Sequence, residues 1–138
     1  MKTNLKFFTT LLISVYLLSA VSFAQTQYKE VIFTVSKKGD NFFSKNSLGQ
    51  KTIDFTISGI STQEDMDAFS VKFKTIDGVI NLEVVAGVTS GTWTATATFF
   101  ERINKKLLQN ILLQAGVKKV IIDGKAYSSE EIGTFSTK

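Results

Sequence analysis

The sequence predicts an α+β domain, on three observations. Three segments alternate apolar and polar residues with the two-residue period of strands that bury one face. Two longer segments place apolar residues at the spacing of amphipathic helices. The chain of 138 residues contains no proline and no cysteine, so long unbroken elements are permitted and disulfides are excluded. These features together indicate a sheet with one apolar side that helices cover.

Residues 1–24 have the pattern of a secretory signal peptide. Lys2 and Lys6 precede the apolar run 7–21, and small residues follow up to Ala24. The run is short for a membrane span, so a retained anchor is the weaker alternative. We therefore expect a bacterial protein that is exported to the periplasm or secreted and keeps no stable membrane anchor after cleavage.

The remainder, about 114 residues, has the size of one domain. Removing Lys2 and Lys6 lowers the formal net charge from +4 to +2, and the other lysines are spread along the chain. We therefore expect no nucleic-acid partner.

Residues 25–50 are predicted to form an N-terminal strand and a loop. The strand covers residues 28–36, and pairing with an edge of the main sheet would protect that edge from aggregation. The loop carries Phe42 and Phe43, which either cap the core or form an exposed contact for a partner.

The main domain begins with a strand at residues 52–58. Ser61 then offers an N-cap oxygen, and Glu64 follows three positions later as in a capping box. The helix is expected to stop near Asp77-Gly78. Its apolar stripe consists of Met66, Phe69, Phe73 and Ile76.

Two further strands follow the first helix. Residues 79–85 place Ile80, Leu82 and Val84 on the apolar side, and a turn at 87–91 leads to the next strand at 92–99. This strand has the strongest alternation in the chain. Its core side carries Trp93, Ala95, Ala97 and Phe99, and its other side carries Thr92, Thr94, Thr96 and Thr98.

The last part of the domain is predicted as a helix and a strand. Residues 103–115 have a broad apolar stripe that Gly116 closes, residues 117–123 form the final strand, and residues 128–138 form a polar C-terminal tail. The order from residue 52 is strand, helix, strand, strand, helix, strand. Two right-handed crossovers of this kind give the ferredoxin-like βαββαβ sandwich, an antiparallel sheet with both helices on one face. An all-β sandwich is the alternative.

Four landmarks carry a family resemblance: the strand end at Ser58-Gly59, the Gly59-Ile60-Ser61 approach to the first helix, the Asp77-Gly78-Val79 helix exit, and Ala115-Gly116. With them, residues 51–127 resemble the heavy-metal-associated domain of copper chaperones and metal-transporting ATPases. In that family two cysteines near the first helix bind soft metal ions. Here Thr62 and Asp65 stand at those positions.

The resemblance therefore implies a degenerate member without soft-metal ligands. Soft ions select sulfur, and the chain has neither cysteine nor histidine, so we expect no cofactor. Glu64 and Asp67 add to a small acidic cluster near the first helix, and a metal site of oxygen ligands there, serving metal homeostasis, is the alternative function. Acidic residues in a first turn more often complement the helix dipole.

Catalysis is not expected. Without histidine and cysteine, Ser-His and Cys-His nucleophilic machinery cannot be built. We predict an exported, non-enzymatic interaction module whose partner is another envelope or secreted protein. The candidate interaction surface consists of Phe42, Phe43, Thr56, Thr94 and Thr96.

Overall fold

The computed structural model describes residues 30–35 and 43–135 and has an α+β fold with a mixed sheet. The predicted signal peptide, Phe42 and residues 136–138 lie outside the described residues. The strands are β1 (Ile32–Val35), β2 (Ser44–Lys45), β3 (Lys51–Ser58), β4 (Val79–Ala86), β5 (Thr92–Phe99), β6 (Lys119–Ile122) and β7 (Lys125–Ser128). The helices are α1 (Gln63–Lys74), α2 (Lys105–Ala115) and a 3-10 helix (Ser129–Thr134). The all-β alternative is therefore wrong.

The sheet has the strand order β4-β5-β3-β1-β6-β7, and β2 pairs with the start of β3. Strand β1 runs antiparallel to β3 and parallel to β6, so the predicted all-antiparallel sheet is not what the structure has. Nor does β1 protect an edge, because it lies inside the sheet. A two-residue period identifies a strand but not its neighbours, which is why the position of β1 could not be predicted.

One face of the sheet forms the core. Ile57 lies directly opposite Trp93 on one side and Phe33 on the other, and all three side chains are buried. Both α-helices pack against this face, because Phe73 of α1 and Leu112 of α2 contact the same apolar space below β1 and β3. The opposite face carries no described helix and is called the open face below.

Phe33 joins β1 to both the sheet and a helix. Its side chain is 2% exposed. Its ring stacks on Phe55 of β3 with the centroids 4.3 Å apart, and it meets Phe69 of α1 edge-on at 6.1 Å. Aromatic pairs in these arrangements contribute beyond the area they bury. Phe33 therefore connects three elements through one buried side chain.

Helix α2 begins two residues later than the sequence indicates. The Asn104 side chain accepts a hydrogen bond of 2.9 Å from the backbone N–H of Leu107 and so forms the N-cap. Gly116, with a φ of +78°, ends the helix as predicted. Neither this helix nor any other in the described residues has the length and apolar character needed to cross a membrane.

The start of β4 contains an irregularity that the alternation did not predict. Val79 pairs with Phe99 and Asn81 pairs with Thr98, so Ile80 is an extra residue in the ladder. Ile80 is exposed, whereas Val79 is buried, because the extra residue shifts the alternation at this point. The prediction that Ile80 faces the core is therefore wrong.

The C-terminal residues are packed rather than a polar tail as far as residue 135. Ile132 in the 3-10 helix is fully buried, and the Ser129 hydroxyl donates a 2.5 Å hydrogen bond to the Val117 carbonyl. The backbone N–H of Ser128 donates to the Glu131 carboxylate at 2.7 Å. Ile132 is one apolar residue among polar neighbours, which is too little periodicity to predict a packed element.

Replacing Phe33 by alanine tests the importance of its ring. We expect Phe33→Ala to lower the free energy of unfolding by about 3–5 kcal/mol, because a large buried ring is removed from a packed core. Thr34→Ala on the open face is the matched control and should cost less than about 1 kcal/mol. Urea denaturation monitored by Trp93 fluorescence gives both values. Similar losses in the two variants would contradict a central role for Phe33.

Candidate functional site

The approach to α1 is anchored to the core. Gly59 has a φ of +94°, a left-handed conformation that favours glycine and turns the chain out of β3. Ile60, the next residue, is 1% exposed. Its carbonyl accepts a hydrogen bond of 2.8 Å from the indole nitrogen of Trp93. The approach therefore has a structural role that needs no ligand.

Thr62 forms the N-cap of α1. Its side-chain oxygen accepts a hydrogen bond of 3.1 Å from the backbone N–H of Asp65, and its carbonyl accepts from the N–H of Met66 at 3.0 Å. The sequence predicted this role for Ser61, one residue earlier. Serine and threonine both cap helices, and each has an acidic residue three positions later, so local pattern did not distinguish them.

Thr62 and Asp65, which stand where the resemblance would place the two cysteines, thus belong to one helix cap. Thr62 accepts from the backbone of Asp65, and the side-chain amide of Gln63 donates to the Asp67 carboxylate at 2.8 Å. Glu64 and Asp65 lie in the first turn, where negative charge complements the helix dipole. Within residues 30–35 and 43–135, no group of three or more acidic side chains is arranged to hold a metal ion.

The threonines of the open face form a row across three strands. Thr56 of β3 lies directly opposite Thr34 of β1 on one side and Thr94 of β5 on the other. We call Thr34, Thr56 and Thr94 the threonine row. Ile121 of β6 extends it beyond Thr34, and Val85 of β4 extends it beyond Thr94. Hydroxyl groups thus lie in line between two apolar ends.

The neighbouring row of the open face is acidic. The Thr96 hydroxyl donates a hydrogen bond of 2.7 Å to the Asp54 carboxylate, and Glu83 lies opposite Thr96 on its other side. Asp54 and Glu83 are both exposed. They stand two strands apart, which corresponds to about 10 Å at the usual strand spacing. The open face therefore carries two carboxylates, although the chain as a whole has a net positive charge.

Phe43 packs against the sheet. It is half-buried, its ring lies edge-on to Phe99 with the centroids 6.4 Å apart, and the Lys51 ammonium lies 5.3 Å from its ring centroid. Of the two alternatives for this residue, the structure therefore has the one in which it caps the core. Phe42, its predicted companion in the interaction surface, lies outside the described residues. The structure brings together Thr56, Thr94 and Thr96 but places Phe43 apart from them.

A small void in the core offers no reactive group. Its volume is about 20 Å³, and only apolar side chains line it, among them Phe33, Phe55 and Leu108. A void of this size has room for about one water molecule, but an apolar lining supplies no hydrogen-bond partner for it. This space is a packing defect rather than a binding pocket.

Sequence reasoning missed part of the open face. Thr34 belongs to the threonine row only because β1 lies beside β3, and Ile121 joins it only because β6 lies beside β1. The sequence predicted a strand at residues 28–36, but nothing in the local pattern identified the strands beside it. The sequence could therefore predict the faces of the strands but not the rows that run across them.

A pair of alanine variants tests which residue caps α1. We expect Thr62→Ala to lower the free energy of unfolding by about 1 kcal/mol, because the N–H of Asp65 loses its partner. Ser61→Ala should change it by less than about 0.5 kcal/mol, since Ser61 is exposed and lies outside the cap. Thermal denaturation followed by circular dichroism measures both. A larger loss of stability for Ser61→Ala than for Thr62→Ala would show that Ser61, and not Thr62, caps the helix.

Comparison with known proteins identified no relative of this chain. A scan against protein-family models, a search of curated proteins and a search of solved structures each found no match. The resemblance to heavy-metal-associated domains therefore stays a prediction from the landmarks in the sequence.

Proposed function

We propose that this chain is an exported, non-enzymatic interaction module that binds a protein partner, itself an envelope or secreted protein, through the open face of its sheet. The observation that carries this proposal is the threonine row, Thr34, Thr56 and Thr94, set beside the acidic row of Asp54 and Glu83. Both rows lie on the face that no described helix covers.

The chemistry of the threonine row suits a protein surface. Each hydroxyl can donate one hydrogen bond and accept others, and each methyl group offers a small apolar contact. Thr34 and Thr56 are half-buried and Thr94 is exposed, so the row presents hydroxyls that the sheet itself holds in place. Threonine loses little side-chain freedom on binding, because its branched side chain is already restricted in a strand. Val85 and Ile121 add apolar contacts at the two ends.

The acidic row indicates the charge of the partner. Asp54 and Glu83 are exposed carboxylates about two strands apart. Charges at an interface are usually complementary, which speeds association and excludes wrong partners. We therefore expect the bound surface to present lysine or arginine opposite these two residues.

The arrangement that supports this surface is proposed to be a ferredoxin-like one into which β1 has been inserted. The units β3-α1-β4 and β5-α2-β6 follow one another as that arrangement requires, and both helices pack on one face. The departure is that β1 separates β3 from β6. With Thr62 and Asp65 at the ligand positions of heavy-metal-associated domains, the resemblance favours a carrier scaffold now used for binding proteins.

Site-specific photo-crosslinking in cells tests the proposal. A photoreactive amino acid replaces Thr94 on the open face, and a matched control replaces Gln114, which is exposed on α2. We expect a discrete adduct with an envelope or secreted protein from position 94 and none from position 114, because the proposed surface faces away from α2. Equal crosslinking from both positions, or adducts from position 114 alone, would contradict the proposed surface.

Two further measurements separate a protein partner from the metal alternative. The double variant Asp54→Lys with Glu83→Lys should reduce the adduct from position 94 at least about tenfold, because it reverses both charges at the surface. Titration of the purified protein with Ca²⁺, Zn²⁺ and Cu⁺, followed by NMR, should leave the amide signals of residues 61–67 unchanged. Localised shifts at those residues at micromolar metal concentrations would contradict the proposed function and favour a metal-binding function.

A further inference from the structure

The two edges of the sheet differ in how they are protected. Strand β7 is four residues long, carries Lys125, and leads directly into the 3-10 helix. Strand β4 is twice as long, and its sequence VINLEVVA contains no lysine and only one charge, Glu83. Short strands and lysine side chains are common devices against edge pairing. Apart from the extra residue Ile80 at its start, β4 has none of these devices.

The backbone of β4 presents a regular set of outward polar groups. The N–H of Gly87 donates to the Thr92 carbonyl at 2.9 Å, which makes this a hydrogen-bonded pair. Hydrogen-bonded and non-hydrogen-bonded pairs alternate along an antiparallel ladder, so Val85 and Glu83 also point towards β5. Leu82, Val84 and Ala86 therefore point their N–H and C=O groups away from it. Among the described residues no strand pairs with this side of β4.

Exposed apolar side chains accompany this edge. Val85 is 63% exposed, Val88 in the hairpin after β4 is fully exposed, and Ile80 is exposed at the start of β4. Phe100, which is also exposed, lies beside the same start, because its N–H donates to the carbonyl of Gly78. Apolar side chains concentrated along one edge indicate a contact rather than scattered surface residues.

We propose that β4 pairs antiparallel with β4 of a second copy of this chain, around a two-fold axis at Val84. A strand edge is complementary to itself, because its outward N–H and C=O groups alternate and a two-fold rotation brings each donor to an acceptor. The partner that this edge fits without any further assumption is therefore another copy. This inference concerns the edge of the sheet, where it shares Glu83 and Val85 with the proposed open-face surface, and it does not require that the open face binds a partner.

Charge and hydrogen bonding select one register. An axis at Glu83 would place two carboxylates directly opposite each other, which is unfavourable. An axis at Val84 pairs Val84 with itself and Leu82 with Ala86 of the second copy, so that all three outward residues take part in about six hydrogen bonds. An axis at Val85 leaves the outward N–H and C=O groups of Leu82 out of the hydrogen-bonded pairing. In the Val84 register, Glu83 lies opposite Val85 of the second copy.

This register makes opposite predictions for two substitutions at one residue. Val85→Glu places a second carboxylate opposite Glu83 at two symmetric positions and should raise the dimer Kd roughly tenfold. Val85→Lys places an ammonium group there and should leave the Kd unchanged or lower it. If lysine opposed edge pairing whatever residue lay opposite it, Val85→Lys would instead weaken association. Sedimentation equilibrium of the purified wild type and both variants measures each Kd, and circular dichroism checks folding.

A third variant and a crosslink locate the axis. Val84→Pro removes an N–H that points outward, so it breaks pairing without removing a hydrogen bond to β5 and should abolish the dimer. If this variant does not fold, the two Val85 variants still decide the question. Val84→Cys introduces the only cysteine of the chain, and mild oxidation should join two copies, whereas Val88→Cys in the exposed hairpin should crosslink less.

The outcomes are distinct. A dimer that Val85→Glu weakens, that Val85→Lys preserves and that Val84→Cys traps supports the proposal. A wild type that remains monomeric at several hundred micromolar overturns it, as does a dimer that responds equally to both Val85 variants. Photo-crosslinking from position 94 does not depend on dimer formation, so failure of the edge contact and failure of the proposed open-face function can be told apart.

Discussion

Burial of Phe33 is the interaction on which the rest of the structure depends. Strand β1 has only four residues, yet it pairs with β3 on one side and β6 on the other, so among the described strands it alone joins the two parts of the sheet. A strand this short has few backbone hydrogen bonds, and the side chain of Phe33 anchors it by stacking on Phe55 and packing against α1. Without that anchor β6 would lose the strand that connects it to β3.

At the start of the first helix, polar groups serve stability. In the heavy-metal-associated domains that the sequence resembles, two cysteines near this point would bind a soft metal ion. Here Ile60 turns into the core, Trp93 fixes its carbonyl, and Thr62 satisfies the start of the helix. The Ile60 carbonyl and the Thr62 hydroxyl therefore both have structural roles. The open face differs, because its threonine hydroxyls and carboxylates are presented away from the helices.

The sequence predicted elements and faces well, and their neighbours poorly. The alternation from Trp93 to Phe99 correctly identified a strand with a buried side and a threonine side, and the spacing of Met66, Phe69 and Phe73 correctly identified α1. Alternation depends on chain geometry within one strand, so it contains no information on which strand lies beside it. The position of β1 between β3 and β6 could not be predicted for that reason.

Smaller errors have the same origin in long-range packing. The extra residue Ile80 is set by pairing with β5, and the burial of Ile132 is set by packing near Leu108 and Leu112 of α2, neither of which local sequence reveals. In the candidate site, Thr56, Thr94 and Thr96 could be assigned to one face in advance. The alignment of Thr56 and Thr94 with Thr34 depends on the pairing of β1 with β3, which could not be predicted.

The parallel pairing of β1 with β6 also has a consequence for how the molecule is made. Ile32 pairs with Lys119, so the first of the described strands to be synthesised is paired on this side only after one of the last has been made. Contacts between such distant residues form slowly, since a long segment must be ordered first. A chain that ended before Lys119 would leave this side of β1 without β6, and an unpaired strand edge is prone to aggregation.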